Sequence, residues 1–233
     1  MPSSAMIETD LPVPEGLHVS RLRYEYSQQW LDRLVDQMPI PSCLGRAVFS
    51  RKLDYLAGRL CAERALAAAG LEVPACVGIG HNGEPRWPHG FVGSITHSGG
   101  CALSAVGRSD QFDLVGIDLE RVLSASMASD IQSQIATFSE RGLGRVGEYS
   151  REQWLTLLFS AKESLFKALH SRVGYHFDFL DAAVESLDAK ARVLILRLLS
   201  DLSHECVKGM RLPVRFHWNE DFVFTCCAVT TPS

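Results

Sequence analysis

The spacing of apolar residues predicts a long helix in the second half of the chain. Between Trp154 and His170 these residues recur at steps of four and three, which places them on one stripe of an α-helix: Trp154, Leu158, Ala161, Leu165 and Ala168. Ser150 followed by Gln153 has the spacing of a capping box, so the helix should begin near Arg151. Gly174 marks its expected end. The apolar stripe is predicted to face a core.

The polar side of this helix places two cations around one carboxylate, in Lys162, Glu163 and Lys167. One interpretation is a solvated ion pair between Glu163 and Lys167, four residues apart, which contributes about 0.2–0.5 kcal/mol. The other interpretation is a functional group of charges. The helix alone does not separate the two.

A second segment, Val115–Glu120, alternates with a period of two residues and is predicted to form a strand. Asp118 and Glu120 then lie on the same face of that strand, close enough to reach one hard cation or its waters. Gly116 on the same face is expected to leave room for a ligand. An ordinary edge strand with a polar face is the alternative.

The remaining pattern predicts further helices and strands. Helices are expected over Tyr24–Gln37, from Ser50 to about Ala69 with Gly70 after its end, and to about Thr137 behind a capping box formed by Ser129 and Gln132. Glycine-rich turns separate three short apolar segments, which suggests an antiparallel meander: Phe91–Thr96, Cys101–Val106 and Asp113–Glu120. Four later segments alternate as strands: Phe177–Glu185, Arg192–Leu199, Pro213–Trp218 and Phe222–Val229.

The order of elements predicts an α+β fold made of two similar halves. Each half has a long helix packed on a small, mostly antiparallel sheet. We expect the halves to be related by a pseudo-twofold axis, with the active site in the cleft between them. The N-terminal half is predicted over residues 1–125 and the C-terminal half over 126–233. Because one chain supplies both halves, a monomer is expected to be sufficient.

Composition is typical of a globular protein. The 233 residues are 46% hydrophobic and 21% charged, and no apolar run has the roughly 18–20 residues that a membrane span requires. Met1–Gly16 lacks the basic start and apolar centre of a secretory signal, so a cytoplasmic protein is expected, with no membrane partner. Seven cysteines without C-x-x-C spacing indicate buried thiols. The net charge of −4 argues against a dedicated nucleic-acid binder.

Three carboxylates on two predicted elements, Asp118, Glu120 and Glu163, can converge on one divalent ion. Oxygen ligands without a Cys or His cluster favour Mg²⁺ over zinc, with Mn²⁺ as a possible substitute. Six cationic side chains are available for a phosphate-rich ligand: Arg51, Lys52, Arg59, His97, Lys162 and Lys167. No G-x-x-x-x-G-K-[ST] motif occurs in the sequence, which excludes a P-loop nucleotide site. The pattern indicates phosphoryl-transfer chemistry.

Five segments together resemble the 4′-phosphopantetheinyl transferases. These are RKLDYLAGRLCAERAL (Arg51–Leu66), GEPRWP (Gly83–Pro88), SITHS (Ser94–Ser98), VGIDLE (Val115–Glu120) and FSAKESLFKAL (Phe159–Leu169). Their order and separation are similar to the bacterial branch that includes the enterobactin synthase transferase component and the broad-range transferase of pseudomonads. The match is dense over about residues 46–170.

The resemblance implies transfer of 4′-phosphopantetheine from coenzyme A to a serine of an apo acyl, peptidyl or aryl carrier protein, with release of adenosine 3′,5′-bisphosphate. Asp118, Glu120 and Glu163 would hold Mg²⁺. Glu163 would take the serine proton, directly or through a water, and Lys167 would protonate the leaving group. His97 would contact the 3′-phosphate. The coenzyme A contacts implied are Arg51, Arg59, Gly83, Glu84, Pro85, Thr96, His97, Lys162 and Lys167.

Two other functions are open on the residues alone. The three carboxylates also fit a Mg²⁺-dependent phosphohydrolase of nucleotides. A coenzyme A binding regulator without transfer activity is the second alternative, although the presence of both Glu163 and Lys167 argues against it. The carrier's pathway, whether fatty acid, polyketide or siderophore peptide synthesis, is left open by the sequence.

Overall fold

A computed structural model of the chain describes residues 11–72, 77–81, 83–143, 149–219 and 221–231. The chain divides into two units. Among the described residues, the first unit contains Glu15–Gln111, and the second contains Leu11–Pro14 and residues 112–231. The predicted division at residues 125 and 126 and the pseudo-twofold relation stay predictions.

The first unit is a three-stranded antiparallel sheet with one long helix packed on it. Its elements are β1 (His18–Arg23), α1 (Gln28–Val35), a 3₁₀ turn (Ser42–Leu44), α2 (Phe49–Ala68), β2 (Gly78–Ile79), β3 (Pro85–Arg86), β4 (Phe91–Ser98) and β5 (Cys101–Arg108). The strand order is β1-β5-β4, and β2 pairs with β3 in a separate hairpin. Helix α2 packs on β5 and β1 through buried residues that include Leu53, Leu56 and Cys61.

The second unit is a five-stranded antiparallel sheet with the longest helix packed on it. Its elements are β6 (Phe112–Arg121), α3 (Ala125–Ile135), α4 (Phe138–Leu143), α5 (Arg151–Val173), a 3₁₀ turn (Phe179–Asp181), β7 (Ala182–Asp188), β8 (Val193–Leu198), β9 (Arg211–Trp218) and β10 (Phe222–Thr230). The strand order is β6-β10-β9-β8-β7, with every pair antiparallel. The predicted α+β class, with a long helix on an antiparallel sheet in each unit, is confirmed.

Helix α5 has the limits predicted from its sequence. The Ser150 side chain accepts a hydrogen bond from the backbone N–H of Gln153, and the Gln153 side chain accepts one from the backbone N–H of Ser150. Gly174 ends the helix at φ 75°, a conformation that glycine adopts without strain. The predicted apolar stripe, Trp154, Leu158, Ala161, Leu165 and Ala168, is buried throughout.

The predicted three-strand meander is wrong in its last strand. β4 and β5 pair as expected, but the segment predicted at Asp113–Glu120 is β6, which belongs to the other unit and pairs with β10. Short turns favour pairing of consecutive strands, but here the longer ladder with β10 determines the partner. The structure also places a 3₁₀ turn at Phe179–Asp181, where the predicted strand Phe177–Glu185 was expected to be extended.

The N-terminal cap predicted for α3 is also wrong. Ser124, not Ser129, accepts the capping hydrogen bond, from the backbone N–H of Met127. The Ser129 hydroxyl instead donates to the backbone carbonyl of Ala125, one turn earlier in the helix. A second start differs too: Ser27 caps α1, so the helix predicted over Tyr24–Gln37 occupies only Gln28–Val35.

Within the described segments, no helix is long and apolar enough to cross a membrane. The thiols there are free: Cys61, Cys101, Cys206, Cys226 and Cys227 are buried, whereas Cys43 is exposed, contrary to the prediction of buried thiols. Cys76 lies outside the described residues.

Candidate active site

Strand β6 holds Asp118 and Glu120 on one face, as its alternating pattern predicts. Asp118 lies opposite Thr225 of β10, and Glu120 lies opposite Val223. The Thr225 hydroxyl contacts Ser160 of α5, at 2.9 Å from both the backbone carbonyl and the hydroxyl oxygen. The face of β6 that carries the two carboxylates is therefore the face on which α5 packs.

Gly116 allows α5 to approach β6 closely. A Cβ atom at this position would lie 1.9 Å from the carbonyl oxygen of Ser164 and 2.5 Å from the backbone nitrogen of Ala168. Real Cβ atoms do not approach backbone atoms to such distances. The space beside Gly116, predicted to be left for a ligand, is taken by the backbone of α5. This close crossing brings one turn of α5 against the carboxylates.

The crossing brings Lys167 of α5 to Asp118 of β6. The two side chains form an ion pair, with 2.6 Å between Lys167 Nζ and Asp118 Oδ1. The Asp118 side chain is 3% exposed and the Lys167 side chain 27% exposed. The simpler interpretation of the helix paired Lys167 with Glu163. In the structure Lys167 forms an ion pair with Asp118, a carboxylate 49 residues earlier in the chain.

The carboxylates of this site act on one another electrostatically. Burial, followed by the charge of Asp118, raises the pKa of Glu120 to about 8, and Lys167 opposes the rise. Burial also raises the pKa of Glu163, which the Asp118 charge raises further and Lys167 lowers. Asp118, Glu120, Glu163 and Lys167 thus form one electrostatic group, which we call the carboxylate site.

The chemistry of this donor set fits a hard divalent cation. It offers carboxylate oxygens alone, and a cation beside them would relieve the repulsion that raises the pKa values of Glu120 and Glu163. In the part of the chain that the structure describes, however, no three His, Cys, Asp or Glu side chains are grouped closely enough to hold a metal ion. Lys167 supplies the positive charge next to Asp118.

The structure does not bring Lys162 into the carboxylate site. Its ammonium is buried and donates three hydrogen bonds, to Glu140 Oε2 at 3.0 Å, to the carbonyl of Ile135 at 2.8 Å and to the carbonyl of Phe179 at 3.0 Å. The ion pair of Lys162 and Glu140 is 1% and 0% exposed at its two side chains. All three donors are used inside the protein, so the predicted contact of Lys162 with coenzyme A has no support here.

Glu140, the partner of Lys162, was not predicted. Its carboxylate also accepts from the backbone N–H of Val184 and from the backbone N–H and hydroxyl of Thr137, each at 2.8 Å. A signal was present in the sequence, because Thr137 and Glu140 have the T-x-x-E spacing of a capping box. Through the ion pair and the hydrogen bond from Val184, Glu140 links α4 and β7 to α5 at Lys162, the residue next to Glu163.

In the first unit, a second polar group surrounds His97 at the end of β4. Arg51 Nη1 lies 3.3 Å from His97 Nε2, and Asp54 Oδ2 lies 3.7 Å from His97 Nδ1. Tyr24 and Tyr26 donate their hydroxyl protons to Asp54 Oδ1 at 2.5 and 2.9 Å. We call these five residues the His97 cluster. Arg51 and His97 were predicted; Asp54 and the two tyrosines were not.

The other predicted ligand contacts also belong to the first unit. Thr96 is buried next to His97 on β4. Arg59 is buried on α2 with its guanidinium 5.0 Å from the centre of the Tyr55 ring, and Gly58 before it contacts the Ile95 side chain, which accounts for the glycine. Gly83 and Glu84 lead into β3, which begins at Pro85. Gly83 has φ 86°, and the Glu84 carbonyl accepts a hydrogen bond from the backbone N–H of Gly80 at 2.7 Å.

Comparison with known proteins assigns both units to one family. Residues 41–107 match the 4′-phosphopantetheinyl transferase N-terminal domain, and residues 114–227 match the 4′-phosphopantetheinyl transferase superfamily. Enterobactin synthase component D of Salmonella typhi is 38% identical over 79% of this chain and 76% of its own length. The chain belongs to the 4′-phosphopantetheinyl transferase family.

Two further transferases of the family support this assignment. The 4′-phosphopantetheinyl transferase Svp of Streptomyces mobaraensis is 35% identical over 82% of this chain and 77% of its own. The 4′-phosphopantetheinyl transferase Npt of Nocardia iowensis is 33% identical over 70% of this chain and 68% of its own length.

A solved structure of a holo-(acyl-carrier-protein) synthase from Bacillus anthracis str. Ames in complex with CoA (3′,5′-ADP) aligns with 52% of this chain and 99% of that chain, at 21% identity and TM-score 0.39.

The resemblance inferred from short segments is confirmed. Arg51–Leu66 and Ser94–Ser98 lie within the match to the transferase N-terminal domain, and Val115–Glu120 and Phe159–Leu169 lie within the match to the transferase superfamily. The carboxylate site thus lies inside the match to the superfamily. Three residues of the His97 cluster, Arg51, Asp54 and His97, lie inside the match to the N-terminal domain.

Proposed function

We propose that the chain transfers the 4′-phosphopantetheine group of coenzyme A to a serine of an apo acyl, peptidyl or aryl carrier protein. Holo carrier protein and adenosine 3′,5′-bisphosphate are the products. The observation that carries this proposal is the packing of Lys167 against Asp118 at the crossing of α5 and β6, with Glu120 and Glu163 in the same electrostatic group. Family membership makes the chain a transferase enzyme, and this group supplies the charges that phosphoryl transfer requires.

In the proposed reaction, the serine oxygen attacks the phosphorus that carries the pantetheine arm. A bond forms between that oxygen and phosphorus, and the bond from phosphorus to the adenosine bisphosphate oxygen breaks. Glu163 accepts the serine proton; burial raises its pKa, and a carboxylate with a raised pKa is the stronger base. Lys167 acts as the general acid and donates a proton to the leaving oxygen.

As the family resemblance implies, Asp118, Glu120 and Glu163 would hold Mg²⁺, for which Mn²⁺ can substitute, after moving closer together than they lie in this structure. When bound, the ion neutralises charge on the pyrophosphate. We assign Arg51 and His97 to the phosphates of coenzyme A, because Arg forks and imidazole N–H groups are effective phosphate donors and the two lie side by side. As the family resemblance implies, Thr96 is also assigned to the phosphates, Arg59 to the 3′-phosphate or the nucleotide, and the segment Gly83–Pro85 to the adenine.

The decisive experiment is intact mass spectrometry of an apo carrier protein after incubation with the chain, coenzyme A and Mg²⁺. We expect the carrier to gain the mass of one phosphopantetheine group. Glu163→Gln should reduce the rate by roughly 10²–10⁴-fold, the range for loss of a general base. Glu152→Gln is the matched control, because Glu152 lies in the first turn of the same helix. This variant should transfer the group at the wild-type rate.

Three results would contradict the proposal. Coenzyme A binding without mass gain on any carrier would favour a binding regulator. Release of phosphate or a nucleoside monophosphate without a carrier would favour a phosphohydrolase. Unchanged transfer after chelation of divalent ions would remove the metal assignment, since we expect EDTA to abolish transfer and Mg²⁺ to restore it.

The pathway is the finer part of the proposal. Acyl, peptidyl and aryl carriers are all candidate substrates, and transfer rates to one of each class would rank them. A cytoplasmic location, a monomeric state, and the lack of nucleic-acid and membrane partners stay predictions.

A further inference from the structure

Asp54 is the centre of the His97 cluster. Oδ1 of Asp54 accepts a hydrogen bond from each of two tyrosine hydroxyls, and Oδ2 faces Nδ1 of His97 at 3.7 Å. The Asp54 side chain is 13% exposed, whereas that of His97 is 33% exposed. The carboxylate therefore lies behind the imidazole, and the imidazole lies between the carboxylate and Arg51.

The hydrogen bonds define which imidazole nitrogen faces which partner. Arg51 has only donors, so His97 Nε2 is the acceptor of the contact at 3.3 Å, and the proton lies on Nδ1, toward Asp54. With a second proton on the ring, Nε2 becomes a donor next to the Arg51 guanidinium. Two donors on adjacent side chains are then available to one anion, and Asp54 balances the charge at Nδ1.

The tyrosines keep Asp54 in one orientation. Burial, followed by the hydrogen bond to Asp54, raises the pKa of both Tyr24 and Tyr26, so both hydroxyls keep their protons and donate. Both hydrogen bonds go to Oδ1, which leaves Oδ2 directed at His97. They also spread part of the carboxylate charge over two hydroxyls, which reduces its repulsion of an incoming anion.

We propose that Asp54, held by Tyr24 and Tyr26, is a positioning residue that orients His97 toward the 3′-phosphate of coenzyme A. Neither Asp54 nor the tyrosines contact the ligand in this scheme; they act through His97. The inference rests on the proposed function, because the phosphate ligand of His97 and Arg51 comes from it. A purely structural alternative is that the tyrosines and Asp54 only fasten the segment after β1 to α2.

Coenzyme A and 3′-dephospho-coenzyme A separate the two roles, since they differ only in the 3′-phosphate. We would measure the Kd of each by titration calorimetry for Asp54→Asn, Asp54→Glu and Tyr26→Phe. Asp54→Asn should weaken coenzyme A binding about tenfold or more, the effect of a charge-assisted hydrogen bond, and change dephospho-coenzyme A binding less than about twofold. In carrier modification, KM for coenzyme A should rise and kcat should stay constant.

The other variants extend the comparison. Asp54→Glu keeps the charge and should restore part of the selective affinity. Tyr26→Phe should show a smaller loss in the same direction, roughly two- to threefold, because one hydrogen bond to Asp54 remains. Asp110→Asn is the matched control: Asp110 is an exposed carboxylate of the same unit, paired with Arg108, and its loss should change neither Kd.

Equal weakening of both nucleotides by Asp54→Asn, or no change in either, would overturn the inference. If Asp54→Asn does not fold, Tyr26→Phe decides, because Tyr26 is 47% exposed and its hydroxyl can be removed without opening the core. Selective loss of coenzyme A affinity then supports the inference, and equal or absent loss overturns it. If wild-type protein binds coenzyme A selectively but transfers nothing to any carrier, the proposed function fails while this inference stands.

Discussion

Lys162 and Glu140 illustrate how the surroundings of a charged residue decide its role. Both side chains are buried, and every ammonium donor of Lys162 has an acceptor. Burial lowers the pKa of Lys162 and the Glu140 charge opposes this, so the pair is stable only while both partners are present. The neighbouring residue, Glu163, faces the carboxylate site. Adjacent residues of one helix thus lie in different surroundings, one in the core and one in the carboxylate site.

Replacement of Lys162 by methionine should destabilise the protein strongly. The change leaves the buried Glu140 carboxylate without its cation, and breaking such a pair costs about 3–5 kcal/mol. Urea unfolding followed by circular dichroism measures the free energy of unfolding. Lys190→Met, at an exposed position in the turn between β7 and β8, is the control and should stay within about 0.5 kcal/mol of wild type. A loss below about 1 kcal/mol for Lys162→Met would show that the pair contributes little.

Sequence periodicity identified some of these residues and missed others for a physical reason. Asp118 and Glu120 were predicted because two side chains two apart on a strand must share a face. The burial of Lys162 was missed because a helical stripe does not show what packs on it. Its environment comes from residues of three other segments, Ile135, Glu140 and Phe179.

At the scale of elements, the crossing of α5 and β6 determines where the carboxylate site forms. Gly116 permits the contact of Ser164 and Ala168 with the strand. On the neighbouring strand β10, the Thr225 hydroxyl contacts the same helix at Ser160. The helix could not approach β6 this closely over any other residue type. The distance of Lys167 from Asp118 depends on that approach.

Gly116→Ala should therefore reduce stability and transfer together. The new methyl group must push α5 away, at a cost of about 1–3 kcal/mol or more, and Lys167 moves with the helix. Thermal unfolding and the carrier modification rate would test this. Gly78→Ala is the control on another strand, because its Cβ would meet Arg86 Cβ at an ordinary 3.5 Å. Wild-type stability and rate in Gly116→Ala would show that the helix does not need the glycine.

The limits of α5 were more predictable than the strand partner of β6. α5 carries its own start and stop signals in Ser150, Gln153 and Gly174, which are all local. The partner of β6 is not local, since β6 ends at Arg121 and β10 begins at Phe222. Pairing over such a separation depends on the sheet as a whole, and the alternation of residues within one strand carries no information about it.

For the whole molecule, both units repeat one architecture of a long helix on an antiparallel sheet. The matches to the transferase N-terminal domain and to the transferase superfamily follow each other in this single chain. The fold class could be read from the order of helices and strands, whereas the pairing of β6 with β10 required the structure.

We expect one chain to be sufficient for activity. Sedimentation velocity should show a single species near the chain mass of 25.7 kDa, with or without coenzyme A. The transfer rate per chain should not change with protein concentration. A dimer whose dissociation removes activity would contradict this expectation.

The position of β6 at the edge of its sheet has a consequence for biosynthesis. Among the described strands of that sheet, its hydrogen-bonded neighbour β10 is the one that leaves the ribosome last. Until then, the nascent chain presents β6 without a partner, and unpaired strand edges promote aggregation. Asp118 and Glu120 place negative charge on that strand, and charged residues on an edge oppose association with other chains. The same carboxylates that we assign to the active site are therefore expected to oppose aggregation during synthesis, as gatekeeper residues do.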